Sequence, residues 1–239
     1  MKRRLLIALA GFLVLLPAAG LGYVAWLGYF GGALYRLFPA ISAPPPALRG
    51  TAAVYWSGDS GFKVGMAPRV MAGLAAKGVP VLGVNTLVAF RDGRSAAATR
   101  ALIADTTRRA LRLPGIDRVV LIGQSFGADM LQYGAADLPR DLRPHVTQVM
   151  LVVPGDTVMF TATPDGIFNT APLHPALPTA RRIDWVPLWC IHGKTEAQSL
   201  CPVLRGPRVR TIALPGDHYL HHDPATLAAV LWRAIAGAR

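Results

Sequence analysis

The stretch that most restricts what this chain can fold into is Arg118-Val119-Val120-Leu121-Ile122, which runs straight into Gly123-Gln124-Ser125-Phe126-Gly127 and a helix-patterned segment, residues 126–136. A short apolar run between turn residues reads as a strand buried on both faces, the inner strand of a parallel sheet. G-x-S-x-G after such a strand and before a helix is an elbow that lifts a serine hydroxyl out of the sheet. So tight a turn leaves no room for side chains two positions either side of Ser125. The N–H groups at the start of the helix favour negative charge that develops there.

The rest of the body repeats the alternation. Strands are predicted at residues 51–56, 79–84, 118–122, 146–153, 186–191 and 209–214, and helices at 67–77, 96–112, 126–136 and 224–236, with Asp223 as the N-cap of the last. This order predicts one α/β domain, residues 51–239, with an α/β-hydrolase-like architecture: a mostly parallel sheet with helices on both faces. No internal repeat is visible.

Composition narrows the class further. Hydrophobic residues make up 52% and charged residues 16%, which excludes a disordered chain. After residue 36 no apolar run approaches the ~20 residues of a membrane-spanning helix. The formal net charge is +12, with 21 Arg and 4 Lys against 12 Asp and a single Glu, Glu196. The basic residues are scattered and lack a nucleic-acid-binding motif, so nucleic acid is not the expected partner. An anionic surface such as phospholipid head groups fits the sign of the charge.

Met1-Lys2-Arg3-Arg4 precedes 31 residues, 5–35, without a charge. A cleaved signal peptide and an uncleaved signal anchor both begin this way. The apolar run resumes beyond Pro17-Ala18-Ala19-Gly20, which favours the anchor, with residues 5–34 in the inner membrane and the body exported. Residues 36–50, with Pro39, Pro44, Pro45 and Pro46, read as a stiff spacer. The expected location is the periplasm. Two cysteines, Cys190 and Cys201, then read as a disulfide.

A serine nucleophile needs a base, and the base an orienting acid. After the 186–191 strand comes Gly193-Lys194-Thr195-Glu196; after the 209–214 strand comes Pro215-Gly216-Asp217-His218. Ser125, Glu196 and His218 thus stand in the chain order nucleophile, acid, base, at the carboxyl edge of the sheet. Asp217 or Asp223 remains open as the acid, and His221 or His222 as the base. The Gly-rich loop 57–61 predicts an oxyanion hole made by the N–H groups of Phe126 and Asp59. Ser60, in Gly58-Asp59-Ser60-Gly61, imitates other serine-hydrolase motifs but lacks their partners, since no His precedes His145. His218, His221, His222 and Asp223 on an exposed loop are read without a metal, and no cofactor is expected. Residues 154–185 hold little sequence for a large lid.

Ser57–Phe62 (SGDSGF), Gly78–Thr86 (GVPVLGVNT), Val119–Asp129 (VVLIGQSFGAD), Leu200-Cys201-Pro202 and Ala213–Tyr219 (ALPGDHY) together resemble the VirJ/AcvB family of bacterial virulence proteins, over residues 55–236. The resemblance implies a periplasmic α/β-hydrolase fold with Ser125 as nucleophile and His218 as base. For AcvB-type members it implies hydrolysis of lysyl-phosphatidylglycerol, and for VirJ itself a link to type IV secretion. Ser60, Phe62 and Tyr219 depart from the commoner Gly, Trp and His. The expected function is cleavage of an ester, foremost the aminoacyl ester of aminoacyl-phosphatidylglycerol. The alternatives are a generic exported carboxylesterase or thioesterase, and a non-catalytic adaptor for secretion-system proteins.

Overall fold

The computed structural model describes residues 2–164 and 171–237, with side chains from residue 15 onward. Among the described residues nine strands, β1 (Tyr35–Phe38), β2 (Thr51–Trp56), β3 (Val81–Val84), β4 (Arg118–Gln124), β5 (Val146–Val152), β6 (Thr157–Val158), β7 (His174–Pro175), β8 (Leu188–Gly193) and β9 (Val209–Leu214), alternate with seven helices. The helices are α1 (Lys2–Leu27), α2 (Ala67–Ala76), α3 (Thr86–Phe90), α4 (Ala96–Leu111), α5 (Phe126–Ala136), α6 (Leu177–Ala180) and α7 (Pro224–Gly237). Seven strands form one sheet in the order β1-β3-β2-β4-β5-β8-β9. All pairings in it are parallel except that of β1 with β3.

Strand alternation divides the core between the two faces. Val54, Trp56, Val119 and Leu121 meet Ile103 of α4 and Leu131 of α5 on one side. Ala53, Tyr55, Val120 and Ile122 meet Val70 and Leu74 of α2 and Leu227 and Leu231 of α7 on the other. Each such aliphatic residue contributes about 1.5–3 kcal/mol on burial, and the inner strands supply them to both layers. The α/β-hydrolase-like sheet read from the sequence is therefore present.

One region differs from expectation. The proline-rich segment, read as a stiff spacer, is held against the body. Tyr35–Phe38 pairs with β3, the Ile41 N–H donates to the Ala75 carbonyl at 3.0 Å, the Ser42 hydroxyl donates to Ala76 O at 2.9 Å, and Leu48 is buried. In residues 154–185, read as holding little sequence for a large lid, the described part forms the small antiparallel pair β6–β7; residues 165–170 lie outside the described residues. Among the described residues no helix is long and apolar enough to cross a membrane. The expected anchor lies partly outside them, since the side chains of residues 1–14 do. In the described part of α1, Leu15, Leu16, Leu21, Tyr23 and Trp26 are exposed while Leu27 is buried against the body.

Candidate active site

The site is assembled from four loops at the carboxyl edge of the sheet. β4 ends at Gln124, two residues beyond the apolar run, and α5 begins at Phe126, so Ser125 makes the whole turn. Its backbone sits at φ 53°, ψ −128°, a left-handed conformation that costs a non-glycine residue on the order of 1–3 kcal/mol. The turn is pinned by the Ser125 N–H to Val152 O (2.8 Å) and by the N–H groups of Ala128 (2.7 Å) and Asp129 (3.1 Å) to Ser125 O. The flanking glycines are required by close approach. A Cβ on Gly123 would run into the backbone of Gly127 and Ala128, and one on Gly127 into that of Trp56 and Ser57.

The structure brings Ser125, His218 and Glu196 into one hydrogen-bonded row. Ser125 Oγ lies 2.8 Å from His218 Nε2, and His218 Nδ1 lies 2.5 Å from Glu196 Oε1. A carboxylate can only accept, so Nδ1 carries the proton toward Glu196 and leaves Nε2 to accept from the serine hydroxyl. The Glu196 side chain is 4% exposed and that of His218 40%, so the acid is shielded while the imidazole reaches the surface. Two strand ends hold the pair together: Lys194 N–H donates to Leu214 O and Thr195 N–H to Gly216 O. A Cβ on Gly193 would strike the Asp217 backbone, so Gly193 lets the two loops touch.

The other acids considered are engaged elsewhere. Asp217 Oδ1 accepts the Tyr219 N–H at 2.9 Å. Asp223 Oδ1 accepts the N–H groups of Ala225 and Thr226, capping α7 as the sequence predicts. His222 stacks on Tyr219, which meets His218 edge-on. Ser60 donates to Asp59 Oδ1 at 3.4 Å. Among the described residues no group of three or more His, Cys, Asp or Glu is placed to hold a metal ion. Cys190 and Cys201 are joined in a disulfide that spans the loop bearing Glu196.

Ser125, Gln124, His218, Tyr219 and His222 line a cavity of about 510 Å³, whose far wall is residues 58–61 and 64–67 with Arg69. Gly58 packs against Ser125: a Cβ there would lie 3.7 Å from that of the serine. Thr86 fixes this loop, its hydroxyl 2.8 Å from Ser57 O and 2.6 Å from Gly58 O. The amide of Phe126 is in the first turn of α5, where N–H groups have no intrahelical acceptor. Asp59 also lines the cavity.

A family model described as bacterial virulence protein (VirJ) matches residues 50–238. The chain belongs to the VirJ family. Among solved structures, this VirJ-family chain is similar to Est1E from Butyrivibrio proteoclasticus, at 13% identity and a TM-score of 0.61, covering 85% of this chain and 93% of that one. It is also similar to the esterase domain of a Rhodothermus marinus protein, at 17% identity and a TM-score of 0.55, covering 83% and 91%. A third is the proline iminopeptidase of Mycobacterium smegmatis, at 14% identity and a TM-score of 0.58, covering 85% and 94%. At such identities the likeness is one of fold. Comparison with curated protein sequences finds no match.

Electrostatics in the VirJ-family site follow from its geometry. The hydrogen bond that His218 donates to Glu196 raises the His218 pKa above its ordinary value; partial loss of water opposes this, and the charges of Glu196, Asp129 and Asp59 act with it. Sequence reasoning missed three contributors. Thr86 opens a five-residue helix too short to show a period. Val153, on the cavity wall directly after β5, is a β-branched residue at φ 46°, for which no sequence signal exists. Asp129, in the first turn of α5, retains some exposed surface, yet burial of its carboxyl raises its pKa to about 7. It stands in the quoted VVLIGQSFGAD motif, the one signal that could have singled it out.

Proposed function

We propose that the protein is an exported serine hydrolase acting on a carboxylic ester, foremost the aminoacyl ester of aminoacyl-phosphatidylglycerol. The observation that carries the reading is the row Ser125–His218–Glu196 opening on a cavity. Ser125 Oγ attacks the ester carbonyl carbon as His218 Nε2 takes its proton, and Glu196 stabilises the imidazolium. The amides of Phe126 and Asp59 bind the oxyanion. The tetrahedral intermediate collapses, the lipid alcohol leaves with the proton from His218, and an aminoacyl-serine remains. Water, deprotonated by the same imidazole, attacks that ester and releases the free amino acid.

The lipid substrate is supported by the motifs shared with the AcvB-type proteins, by the net charge of +9 that remains once Lys2, Arg3 and Arg4 before the anchor are set aside (22 basic against 13 acidic residues) and by an acidic side chain, Asp59, on the cavity wall, suited to a cationic acyl group. Export is supported by the Cys190–Cys201 disulfide. Tethering to the inner membrane by residues 5–34 is supported by the uncharged stretch and by the exposed Leu15, Leu16, Leu21, Tyr23 and Trp26. A generic carboxylesterase is the second reading, in keeping with two neighbours that are esterases. The test is release of free lysine from anionic vesicles containing lysyl-phosphatidylglycerol. Release by the native protein and none by Ser125→Ala supports the lipid reading. Cleavage of p-nitrophenyl acetate without lysine release sinks it in favour of the generic esterase. Neither activity leaves the adaptor for secretion-system proteins.

A further inference from the structure

Asp129 is a buried acid that the proposed reaction does not use. It lies one helical turn after Ser125, and the cavity lining does not include it. Its carboxylate oxygen accepts the Gly155 N–H at 2.9 Å, and Gly155 is paired in an antiparallel bridge with Ser199. The same contact is extended by Leu200 N–H to Pro154 O (3.1 Å) and Asp156 N–H to Gln198 O (3.3 Å). Glu196 stands two residues before Gln198 and Cys201 one residue after Leu200, so the run 198–200 is held at one end by the disulfide. The nucleophile helix therefore reaches the acid-bearing loop through one carboxylate and one short bridge.

An acid in the first turn of a helix is ordinary, because it complements the helix dipole. That reason asks for a solvated side chain, whereas Asp129 turns inward at a cost. The charged groups that act on it are His218 from the loop after β9, Glu196 from the loop after β8 and Asp59 from the loop after β2. His218 is the only one whose charge favours an ionised Asp129. The relation is mutual, since the negative charge of Asp129 raises the pKa of His218. Buried acids with raised pKa values cluster at functional sites.

Resting on the serine-hydrolase reading above, we propose that Asp129 is a positioning residue: through the Gly155 amide it ties α5 to the segment carrying Glu196, and its charge stabilises the imidazolium that His218 becomes. The substitution to compare is Asp129→Asn, which keeps an oxygen for Gly155 and removes the charge, beside Asp129→Ser, which loses the reach as well. Two readouts are taken on the folded full chain: the His218 titration by NMR, and kcat and KM for p-nitrophenyl acetate against pH. Asp129→Asn is expected to lower the His218 midpoint and move the acid limb of kcat/KM to lower pH. Asp129→Ser is expected to lower kcat by a further factor, roughly tenfold to a hundredfold below native, with KM little changed. An unmoved His218 titration in either folded variant overturns the inference, whatever the activity. A native protein inert toward the ester overturns the hydrolase reading instead, and the NMR titration then decides the electrostatic link by itself.

Discussion

Glu196 Oε1 and His218 Nδ1 lie 2.5 Å apart, joining the only Glu of the chain to the imidazole that faces Ser125. The pair is 22 residues apart in sequence and is brought together by the parallel pairing of β8 with β9. A charged hydrogen bond of this kind fixes both the tautomer and the ring orientation.

Glu196→Gln keeps the shape and removes the charge. Ester hydrolysis is expected to fall by about 10⁴ in kcat, the scale of effect for the orienting acid of such rows. The His218 pKa loses its largest raising influence, so the surviving activity should extend to lower pH. Steady-state kinetics across pH check both effects.

In the native protein the base must be neutral to accept the serine proton. Because the His218 pKa lies above its ordinary value, kcat/KM should fall as pH drops through a midpoint above ~6.5. A pH profile of ester hydrolysis measures that midpoint. A limb at or below the ordinary histidine value contradicts the influence assigned to Glu196.

Asp129 titrates near 7 in the fold and near 3.9 in an unfolded chain. Between these values the folded state holds a proton that the unfolded state has lost, so stability declines as pH rises toward and through 7. Asp129→Asn does not titrate. The difference in Tm between Asp129→Asn and the native protein should therefore grow in favour of the variant from pH 5 to pH 8. Thermal unfolding at the two pH values reads this directly.

The disulfide crosses 11 residues, from β8 to the turn after Glu196, and both cysteines are fully buried. Replacing both with Ala should remove about 3 kcal/mol of stability, chiefly by freeing the unfolded chain. Denaturant titration under oxidising conditions gives the number. Native stability in the double variant contradicts a structural role.

What could be read in advance follows the physics of each signal. Ser125 comes directly after a strand marked by an apolar run, Glu196 and His218 come in the short loops after β8 and β9, and the elbow needs glycines that backbone contact now explains. β1 carried no such mark: its four residues bury only partly, in the pattern of an edge, and the prolines after it suggested a stiff spacer. Thr86 reaches the carbonyls of Ser57 and Gly58, 29 and 28 residues earlier, only once β2 and β3 pair. Asp129 looks like any first-turn acid until the fold buries it. The paired loops that place Glu196 against His218 depend on Gly193 lying under Asp217, a contact 24 residues apart that no local pattern encodes.

Fluorophosphonate labelling of the full-length native protein, followed by peptide mass spectrometry, tests the reactive row at its centre. The geometry predicts covalent modification at Ser125, strongly slowed in His218→Ala and absent in Ser125→Ala. Labelling that persists in Ser125→Ala, or that fails in the folded native protein, contradicts a nucleophilic Ser125.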